Sequence, residues 1–406
     1  MKQVVIIGGG ILGLACAYYL QRSGQAQVTL LEAGDFASAT TSQAAALLTR
    51  ARNDINASRY VAETHHIIAQ FEQQLGQTLM HRPGCWHLVD GDFPLTTLQH
   101  YQQLAQPDNA PQWRQADALR AALPAFEVGD DARALVYHND GFIDPYLLAT
   151  TYLQQARALG AVCLSQRRVT RLQSHNNRIT AVLTERQSFS CDALLLAAGP
   201  WSKVLARQLD SPLAMATVRS HYWITDPQPL VARAMPMLID QRNGFYFRSE
   251  NGALLFGLRD SQGCVTDATQ LPDDIHSLAF PQDPQGWAAL EENWQALIAR
   301  CPLLAQAQLN HYIAGVSSYT PDGKPLLGPL PGWCNAFVAS GCSGAGIAWS
   351  GGIGRAVADC VLGQQGTLEI ACYAPERFAR HNPQLDVFSA AFQQQCALAR
   401  SQKKTG

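Results

Sequence analysis

Hydrophobic residues are concentrated in two successive segments near the N-terminus. Residues 4–7 form an unbroken β-branched run, and residues 11–20 are apolar nearly all round. This pattern predicts a buried strand followed by a buried helix. A second short apolar run covers residues 28–31. The segment 2–32 is therefore predicted to form one βαβ unit, with both strands in the interior of a parallel sheet.

The remainder of the chain alternates between helix-like and strand-like patterns. Asp144 and Pro145 place a capping residue and a proline where a helix begins, and that helix is expected to run to Gly160. Other helices are predicted over 57–75, 98–122 and 346–362. Strands are predicted over 162–164, 168–172, 179–183, 193–198, 218–224, 235–239, 244–248, 253–258 and 337–339. Aromatic and charged residues alternate in the four strands between 218 and 258, which is typical of an antiparallel sheet.

The composition narrows the class of protein. Hydrophobic residues make up 47% of the 406-residue chain and charged residues 15%, which excludes disorder, collagen-like repeats and a coiled coil. The formal net charge of -2 provides no overall field that would attract nucleic acid or an anionic membrane. A small molecule is therefore the expected partner.

The cysteines and the apolar runs bear on location. Eleven cysteines are scattered singly, without a CxxC pair. An odd number of isolated cysteines argues against a disulfide framework and favours the reducing cytoplasm. No window approaches the roughly 18–20 apolar residues that a membrane-spanning helix requires, so no membrane span is expected. The tail from residue 394 onward is predicted to fray.

Glycines mark the turn between the first strand and the first helix. Gly8, Gly10 and Gly13 fit the G-x-G-x-x-G pattern, in which the backbone approaches a pyrophosphate at a helix N-terminus. Glu32 ends the second strand, where a carboxylate accepts hydrogen bonds from a ribose 2′-hydroxyl. This carboxylate would repel a 2′-phosphate, so NADP is disfavoured and both NAD and FAD remain. The alternative is a glycine turn in an α/β protein that binds no nucleotide.

Four blocks of sequence carry a resemblance to a known family. They are 8–32, 40–48 (Thr-Thr-Ser-Gln-Ala-Ala-Ala-Leu-Leu), 192–202 (with Ala-Ala-Gly-Pro-Trp-Ser), and 320–329 (Thr-Pro-Asp-Gly-Lys-Pro-Leu-Leu-Gly-Pro) followed by 340–347. In their order and spacing the chain resembles the D-amino-acid-oxidase superfamily of FAD-dependent oxidoreductases, which includes glycine oxidase, sarcosine oxidase and D-amino-acid dehydrogenases. The resemblance covers nearly the whole chain and favours FAD over NAD.

The resemblance implies an α/β fold with two interleaved parts. One is a Rossmann-like FAD-binding domain of the glutathione-reductase type, and the other is an α+β substrate domain built on an antiparallel sheet. The FAD-binding domain is expected over 1–82, 141–216 and 311–393, the substrate domain over 83–140 and 217–310, and a tail over 394–406.

The resemblance also assigns residues to the cofactor, beyond Gly8, Gly10, Gly13 and Glu32. Those expected to line the pyrophosphate, the flavin or the adenine are Thr41, Ser42, Ala45, Ala46, Leu47, Val169, Gly199, Trp201, Gly341, Gly344, Gly346 and Ile347. Relatives with covalent flavin carry a cysteine before the Thr-Pro-Asp block or a histidine near the phosphate loop. This chain has Gly315 at the first position and no histidine over 33–48, so non-covalent FAD is expected.

The chain departs from the family pattern on the substrate side. Amino-acid oxidases of the family often hold the substrate carboxylate with an arginine before the Thr-Pro-Asp block, and residues 315–319 contain none. Either another arginine binds a carboxylate or the substrate lacks one. Tyr246 and Arg248 share one face of a predicted strand and form the first candidate pair. Arg52 and His221 are further candidates for the catalytic site. The alternatives are an exposed sheet face for the pair and a core position for His221.

These features predict an FAD-dependent amine or amino-acid oxidase or dehydrogenase. The expected reaction oxidises a C–H bond next to an amine nitrogen, in an amino acid or a secondary or N-methyl amine, by hydride transfer to flavin N5. The resulting imine hydrolyses in water. The electron acceptor, whether oxygen, a quinone or a protein, stays open. A flavoprotein subunit of a multi-subunit dehydrogenase and a non-catalytic FAD-binding protein are the alternatives.

Overall fold

The structure, a computed structural model, describes residues 1–261, 263–272, 274–381 and 386–401. Its strands β1 to β21 are, in order, Lys2–Ile7, Ala26–Leu31, Leu47–Leu48, Met80–His81, Cys85–Val89, Gln112–Gln115, Arg133–Tyr137, Gly141–Ile143, Val162–Leu164, Val169–His175, Arg178–Thr184, Ser188–Ser190, Ala193–Leu196, Ala216–Pro227, Met237–Asp240, Phe245–Glu250, Ala253–Gly257, Val265–Thr266, Leu309–Tyr319, Leu326–Pro329 and Ala336–Ser340. Its helices α1 to α10 are Ile11–Arg22, Ile55–Leu75, Thr96–Gln103, Ala116–Ala122, Pro145–Ala158, Ser202–Arg207, Trp287–Arg300, Gly346–Leu362, Glu376–His381 and Ala390–Ser401.

A six-stranded sheet in the order β20-β21-β13-β1-β2-β9 forms the first layer. Its pairs are parallel except for β20 with β21. Val4 and Ile6 of β1 pack into a core shared with α1, α2, α5 and α8, whereas Val5 and Ile7 face a second core that includes α6 and the β10-β11-β12 sheet. Both faces are buried, which explains the unbroken apolar run, and the predicted βαβ unit is confirmed.

A nine-stranded sheet forms the second layer. Its order is β18-β14-β17-β16-β15-β5-β7-β6, with β19 paired along β14. All its pairs are antiparallel apart from β15 with β5. Its core includes side chains of α4 and α7 with the aromatic residues of β14, β16 and β17. The predicted antiparallel sheet is therefore confirmed, and the molecule has the predicted mixed α/β class.

Two local predictions were wrong. The helix expected over 98–122 is divided into α3, β6 and α4. Pro107 and Pro111 interrupt the helical pattern, and β6 then pairs with β7. The tail does not fray at residue 394, because α10 continues to Ser401 and Cys396 is fully buried against a core that includes β14. Residues 402–406 lie outside the described residues.

The division of the chain into two domains stays a prediction. Residues 311–319, expected in the FAD-binding domain, lie in β19 and pair with β14 of the nine-stranded sheet. Across the described part of the chain, no helix combines the length and apolar character needed to cross a membrane. All eleven cysteines lie among the described residues, and none forms a disulfide.

Candidate active site

A cavity of about 630 Å³ is lined by residues from both large sheets. The six-stranded sheet contributes the β1–α1 turn, the turn after β13, and the turn between β21 and α8. The segment before β3 forms another part of the wall. The nine-stranded sheet contributes residues of β14, β16 and β19 and the chain after β17. This position, at the carboxyl ends of parallel strands, is where α/β sheets bind ligands.

The β1–α1 turn is built by close backbone packing. Gly8 has φ +112°, a conformation that L side chains rarely adopt. Gly13 does not line the cavity, but a Cβ at this position would overlap the carbonyl oxygen of Gly8. Gly13 therefore allows the close packing that fixes the turn, without contacting the cavity itself. The first N–H groups of α1 lack intrahelical partners, so this helix end favours an anionic group.

The Glu32 carboxylate is fixed at the edge of the same turn. Its Oε2 accepts a hydrogen bond from the Gly9 N–H at 2.6 Å, and its Oε1 accepts one from the Gly34 N–H at 2.8 Å. Glu32 also lines the cavity. The carboxylate is thus placed where it can accept further hydrogen bonds from a ribose.

The segment between α1 and β3 is held on two sides. Thr41 Oγ1 accepts a hydrogen bond from the Ile11 N–H at 3.0 Å, which ties the segment to the start of α1. On the other side, Arg248 Nε donates to the Ala45 carbonyl at 3.1 Å. Ser42 turns away from the cavity and donates to backbone carbonyls of its own turn. These contacts hold the backbone of the segment against the cavity.

A second helix also begins at the cavity wall. The turn before α8 contains Gly341 and Gly344 with φ +63° and +75°, and Gly346 begins the helix. The N-termini of α1 and α8 therefore both meet the cavity, and each favours negative charge there.

The structure brings most of the predicted cofactor residues together in the wall. They are Gly8, Gly10, Glu32, Thr41, Ala45, Ala46, Leu47, Val169, Gly199, Trp201, Gly341, Gly344, Gly346 and Ile347. Gly13 and Ser42 lie outside it. The roles of the individual residues stay predictions, and their grouping around one cavity supports them.

Two of the four predicted catalytic residues line the cavity. Tyr246 lies on β16 opposite Gly257 of β17, and a Cβ on Gly257 would overlap the phenol ring. Burial raises the pKa of Tyr246, so the phenol stays protonated. His221 Nδ1 lies 3.2 Å from the Tyr312 hydroxyl, and burial followed by the nearby Arg400 lowers the pKa of His221 well below its usual value. His221 is therefore neutral near pH 7.

The other two predicted catalytic residues, Arg248 and Arg52, lie outside the wall, and we revise their roles. Besides contacting Ala45, Arg248 forms an ion pair with Glu250 at 2.6 Å and lies over the Phe142 ring. Arg52 is buried, and its Nη1 donates to Thr49 Oγ1 and to the Ala51 carbonyl. Both arginines hold backbone that follows or borders the cofactor segment.

Residues that sequence reasoning missed also line the cavity. Arg259 follows β17, Arg400 comes from α10, and Tyr319 ends β19. Arg400 forms an ion pair with Asp260. The one sequence signal for Arg259 was its position two residues beyond Gly257, which faces Tyr246 across the sheet.

The fold and cavity define a nucleotide-binding α/β protein whose second sheet closes one ligand compartment. The sequence model of the FAD dependent oxidoreductase (DAO) family matches residues 3–360, so the chain belongs to this family. The predicted family resemblance and the FAD cofactor are thereby confirmed.

Three similar proteins illustrate the relationship. The chain is 26% identical over 390 residues to mitochondrial dimethylglycine dehydrogenase of Mus musculus, covering 93% of this chain and 44% of that protein. It is 25% identical over 382 residues to 4-methylaminobutanoate oxidase (formaldehyde-forming) of Paenarthrobacter nicotinovorans, covering 93% and 46%. The chain thus spans about half the length of these curated relatives. The crystal structure of L-proline dehydrogenase from P. horikoshii shows the same fold, with a TM-score of 0.81, 21% identity, and coverage of 94% and 98%.

The residues present fit FAD. Four buried side-chain atoms in the wall have no hydrogen-bond partner among the described residues, namely Thr40 Oγ1, Gln43 Oε1, His221 Nε2 and Ser318 Oγ. Such atoms require a polar ligand, since an unsatisfied buried polar group costs free energy. Glu32 and the two helix N-termini supply the groups that a ribose and a pyrophosphate need.

Replacing Glu32 tests the cofactor assignment. Glu32→Ala removes a charged acceptor that also fixes the turn through Gly9 and Gly34, so FAD affinity should fall about 10- to 100-fold. Fluorescence titration of the deflavinated protein with FAD measures this. Asp35→Ala is the matched control, since Asp35 is exposed and lies outside the wall. Equal affinity of both variants would contradict the assignment.

Proposed function

We propose that this chain oxidises a C–H bond next to the amine nitrogen of an amino acid or of a secondary or N-methyl amine, as an FAD-dependent oxidase or dehydrogenase. The observation that carries the proposal is that the wall of one cavity joins the predicted cofactor segments to aromatic and polar side chains of the nine-stranded sheet. Bound FAD would supply the hydride acceptor.

The side chains of the cavity suit an uncharged amine. Tyr246 and His221 are both neutral near pH 7, so neither repels the amine or requires it to be protonated. Glu32 is the sole carboxylate in the wall formed by the described residues, and it belongs to the nucleotide side. A reaction by hydride transfer needs orientation and exclusion of water more than a strong base. The N-terminus of α8 favours negative charge that develops on its side of the cavity.

Because the chain spans about half the length of its curated relatives, a flavoprotein subunit of a larger dehydrogenase stays an alternative. The curated relatives contain about as much chain again as the part that matches. Oxygen, a quinone or a protein is proposed as the electron acceptor. A cytoplasmic location is also proposed, and the eleven unpaired cysteines support it.

Steady-state assays with two acceptors test the proposal. We expect turnover of at least one amino acid or N-methyl amine when a redox dye accepts the electrons. Parallel measurement of oxygen uptake and hydrogen peroxide separates an oxidase from a dehydrogenase. If FAD is bound but no turnover appears with either acceptor, the result would favour a non-catalytic protein or a missing subunit.

Gly257→Ala tests the position of the Tyr246 ring. The added Cβ would overlap the phenol, so the ring must move while the cofactor segments keep their contacts. We expect kcat/KM to fall about 100-fold, as a shift of roughly 1 Å can cause, with flavin content unchanged. Tyr246→Phe is the matched control, because it keeps the ring in place and removes only the hydroxyl. Wild-type kcat/KM in Gly257→Ala would show that the ring does not orient the substrate.

A further inference from the structure

Three side chains with metal-binding chemistry lie together outside the cavity wall. Cys85 and His87 alternate on β5 and therefore share one face of that strand, and Asp140 lies in the turn between β7 and β8. The pairing of Cys85 with Tyr137 of β7 brings this turn to the start of β5. One ligand atom of each residue lies within 4.8 Å of the other two, and all three residues are fully buried. Such a set of donors can converge on one metal ion.

The hydrogen bonds of His87 leave one of its ring nitrogens available for a ligand. Its Nδ1 lies 3.1 Å from the Gln241 side-chain amide, whereas His87 Nε2 and Gln241 Oε1 have no hydrogen-bond partner among the described residues. The nitrogen and oxygen of a glutamine amide can be exchanged by turning the amide over. Nδ1–H then donates to Oε1, and Nε2 keeps its lone pair. Metal-ligating histidines have this arrangement, and a buried acceptor without a partner requires a ligand.

The Asp140 carboxylate also has room for a further bond. Its Oδ2 accepts a hydrogen bond from the Arg50 N–H at 2.9 Å, and its Oδ1 accepts one from Asn109 Nδ2 at 3.0 Å. Each carboxylate oxygen has about two acceptor positions, so one position remains on each oxygen. Arg50 lies two residues after β3, and an ion at Asp140 would therefore connect β5 to the chain that follows β3.

The charges around the cluster favour a divalent ion with an anionic fourth ligand. Metal binding converts the Cys85 thiol into a thiolate, so Cys85 and Asp140 together carry two negative charges. Arg52 is buried and interacts electrostatically with all three residues, and its Nη2 has no partner among the described residues. A divalent ion leaves one positive charge in excess, which a hydroxide as fourth ligand removes. Sulfur and nitrogen donors favour zinc over magnesium or calcium.

We propose that Cys85, His87 and Asp140 bind one zinc ion in a site separate from the FAD cavity, with hydroxide as the fourth ligand. The proposal uses no residue of the cavity wall, so it does not rest on the proposed function. The ion fixes the start of β5 against the turn before β8. Through the Arg50 N–H, the same carboxylate also holds the chain after β3 in place.

Zinc loading of the FAD-bound protein tests the proposal. Protein treated with EDTA is equilibrated with ZnCl2 and desalted, its zinc content is measured by mass spectrometry, and competition with a chelating dye gives the affinity. We expect about one zinc per chain in the wild type. Asp140→Asn and Cys85→Ala each remove one ligand and should lower the zinc affinity at least about tenfold. The matched controls are Cys334→Ser and Cys372→Ser, which replace exposed thiols and should bind zinc as the wild type does.

X-ray absorption at the zinc edge makes the test independent of whether the variants fold. The zinc-loaded wild type should show one sulfur at about 2.3 Å and nitrogen and oxygen ligands at about 2.0–2.2 Å. A wild-type protein that takes up no zinc, or zinc that has no sulfur ligand, would overturn the proposal. Zinc that is lost in Cys334→Ser or Cys372→Ser and retained in Asp140→Asn would also overturn it, since the ion would then be adventitious at surface thiols.

Discussion

Gly13→Val is expected to yield a protein that no longer retains flavin. Even a Cβ at this position would overlap the Gly8 carbonyl oxygen, and it would lie 3.4 Å from Ala197 Cβ. The turn that begins α1 must therefore move, and the N–H groups proposed to bind the pyrophosphate move with it. Flavin content, measured from the ratio of visible to ultraviolet absorbance after purification with excess FAD, should approach zero.

A second glycine distinguishes this local effect from a general loss of stability. Gly332 has φ +82° and no atom within 4 Å of an added Cβ. Gly332→Ala should cost about 1–2 kcal/mol through its backbone conformation alone and should retain full flavin. Circular dichroism of the Gly13→Val protein shows whether the fold persists without FAD. A Gly13→Val protein with stoichiometric flavin would refute the phosphate-turn assignment.

Acidification from pH 6.5 to pH 5 is expected to lower the free energy of unfolding of the metal-free protein by about 3 kcal/mol, out of a typical total of about 5–15 kcal/mol. Burial, followed by nearby arginines, lowers the pKa values of His65 and His87 to about 3 and that of His221 well below its usual value. These side chains stay neutral in the folded state, whereas the unfolded chain takes up protons below about pH 6.5. Their stabilising contribution is complete above that pH and is lost as the pH falls toward 3.

Asp140 opposes this trend. Burial raises the pKa of Asp140 to about 7, so the folded state holds a proton that the unfolded state releases above about pH 3.8. Its contribution is present at low pH and is lost as the pH rises toward 7. Three histidines against one aspartate leave a net uptake of about two protons on unfolding, worth about 1.4 kcal/mol each per pH unit.

Urea titrations of the FAD-saturated protein between pH 5 and pH 8 measure this slope. His65→Gln should flatten it by about one proton, because the Nε2 atom of the half-buried His65 is itself buried and has no partner among the described residues. His175→Gln, at an exposed position in β10, should leave it unchanged. A stability that is independent of pH over 5–6.5 would contradict the buried neutral histidines.

The fold could be predicted where its causes are local. The run at residues 4–7 indicated a fully buried strand because both sheet faces are covered, and Asp144 caps α5 through the Tyr146 and Leu147 N–H groups. The helix prediction for residues 98–122 was wrong because it gave the polar, alanine-rich composition more weight than Pro107 and Pro111. The pairing of β6 with β7, which links residues distant in sequence, then determined its structure.

The candidate site likewise has a part that local sequence predicts and a part that depends on long-range contacts. The cofactor residues lie in contiguous motifs, so their grouping could be predicted. Arg259 and Arg400 reach the cavity only through the pairing of β16 with β17 and the docking of α10, which no local pattern encodes. Arg248 shares a strand face with Tyr246, as predicted, but Glu250 lies two residues further along and pairs with its guanidinium.

An anaerobic titration of the FAD-bound protein with amine compounds tests the central claim most directly. The panel contains D- and L-amino acids, N-methyl amino acids and amines without a carboxylate, and the visible flavin absorbance is recorded after each addition. At least one class of these compounds is expected to bleach the flavin. A flavin that is plainly bound and is reduced by none of these compounds would contradict it.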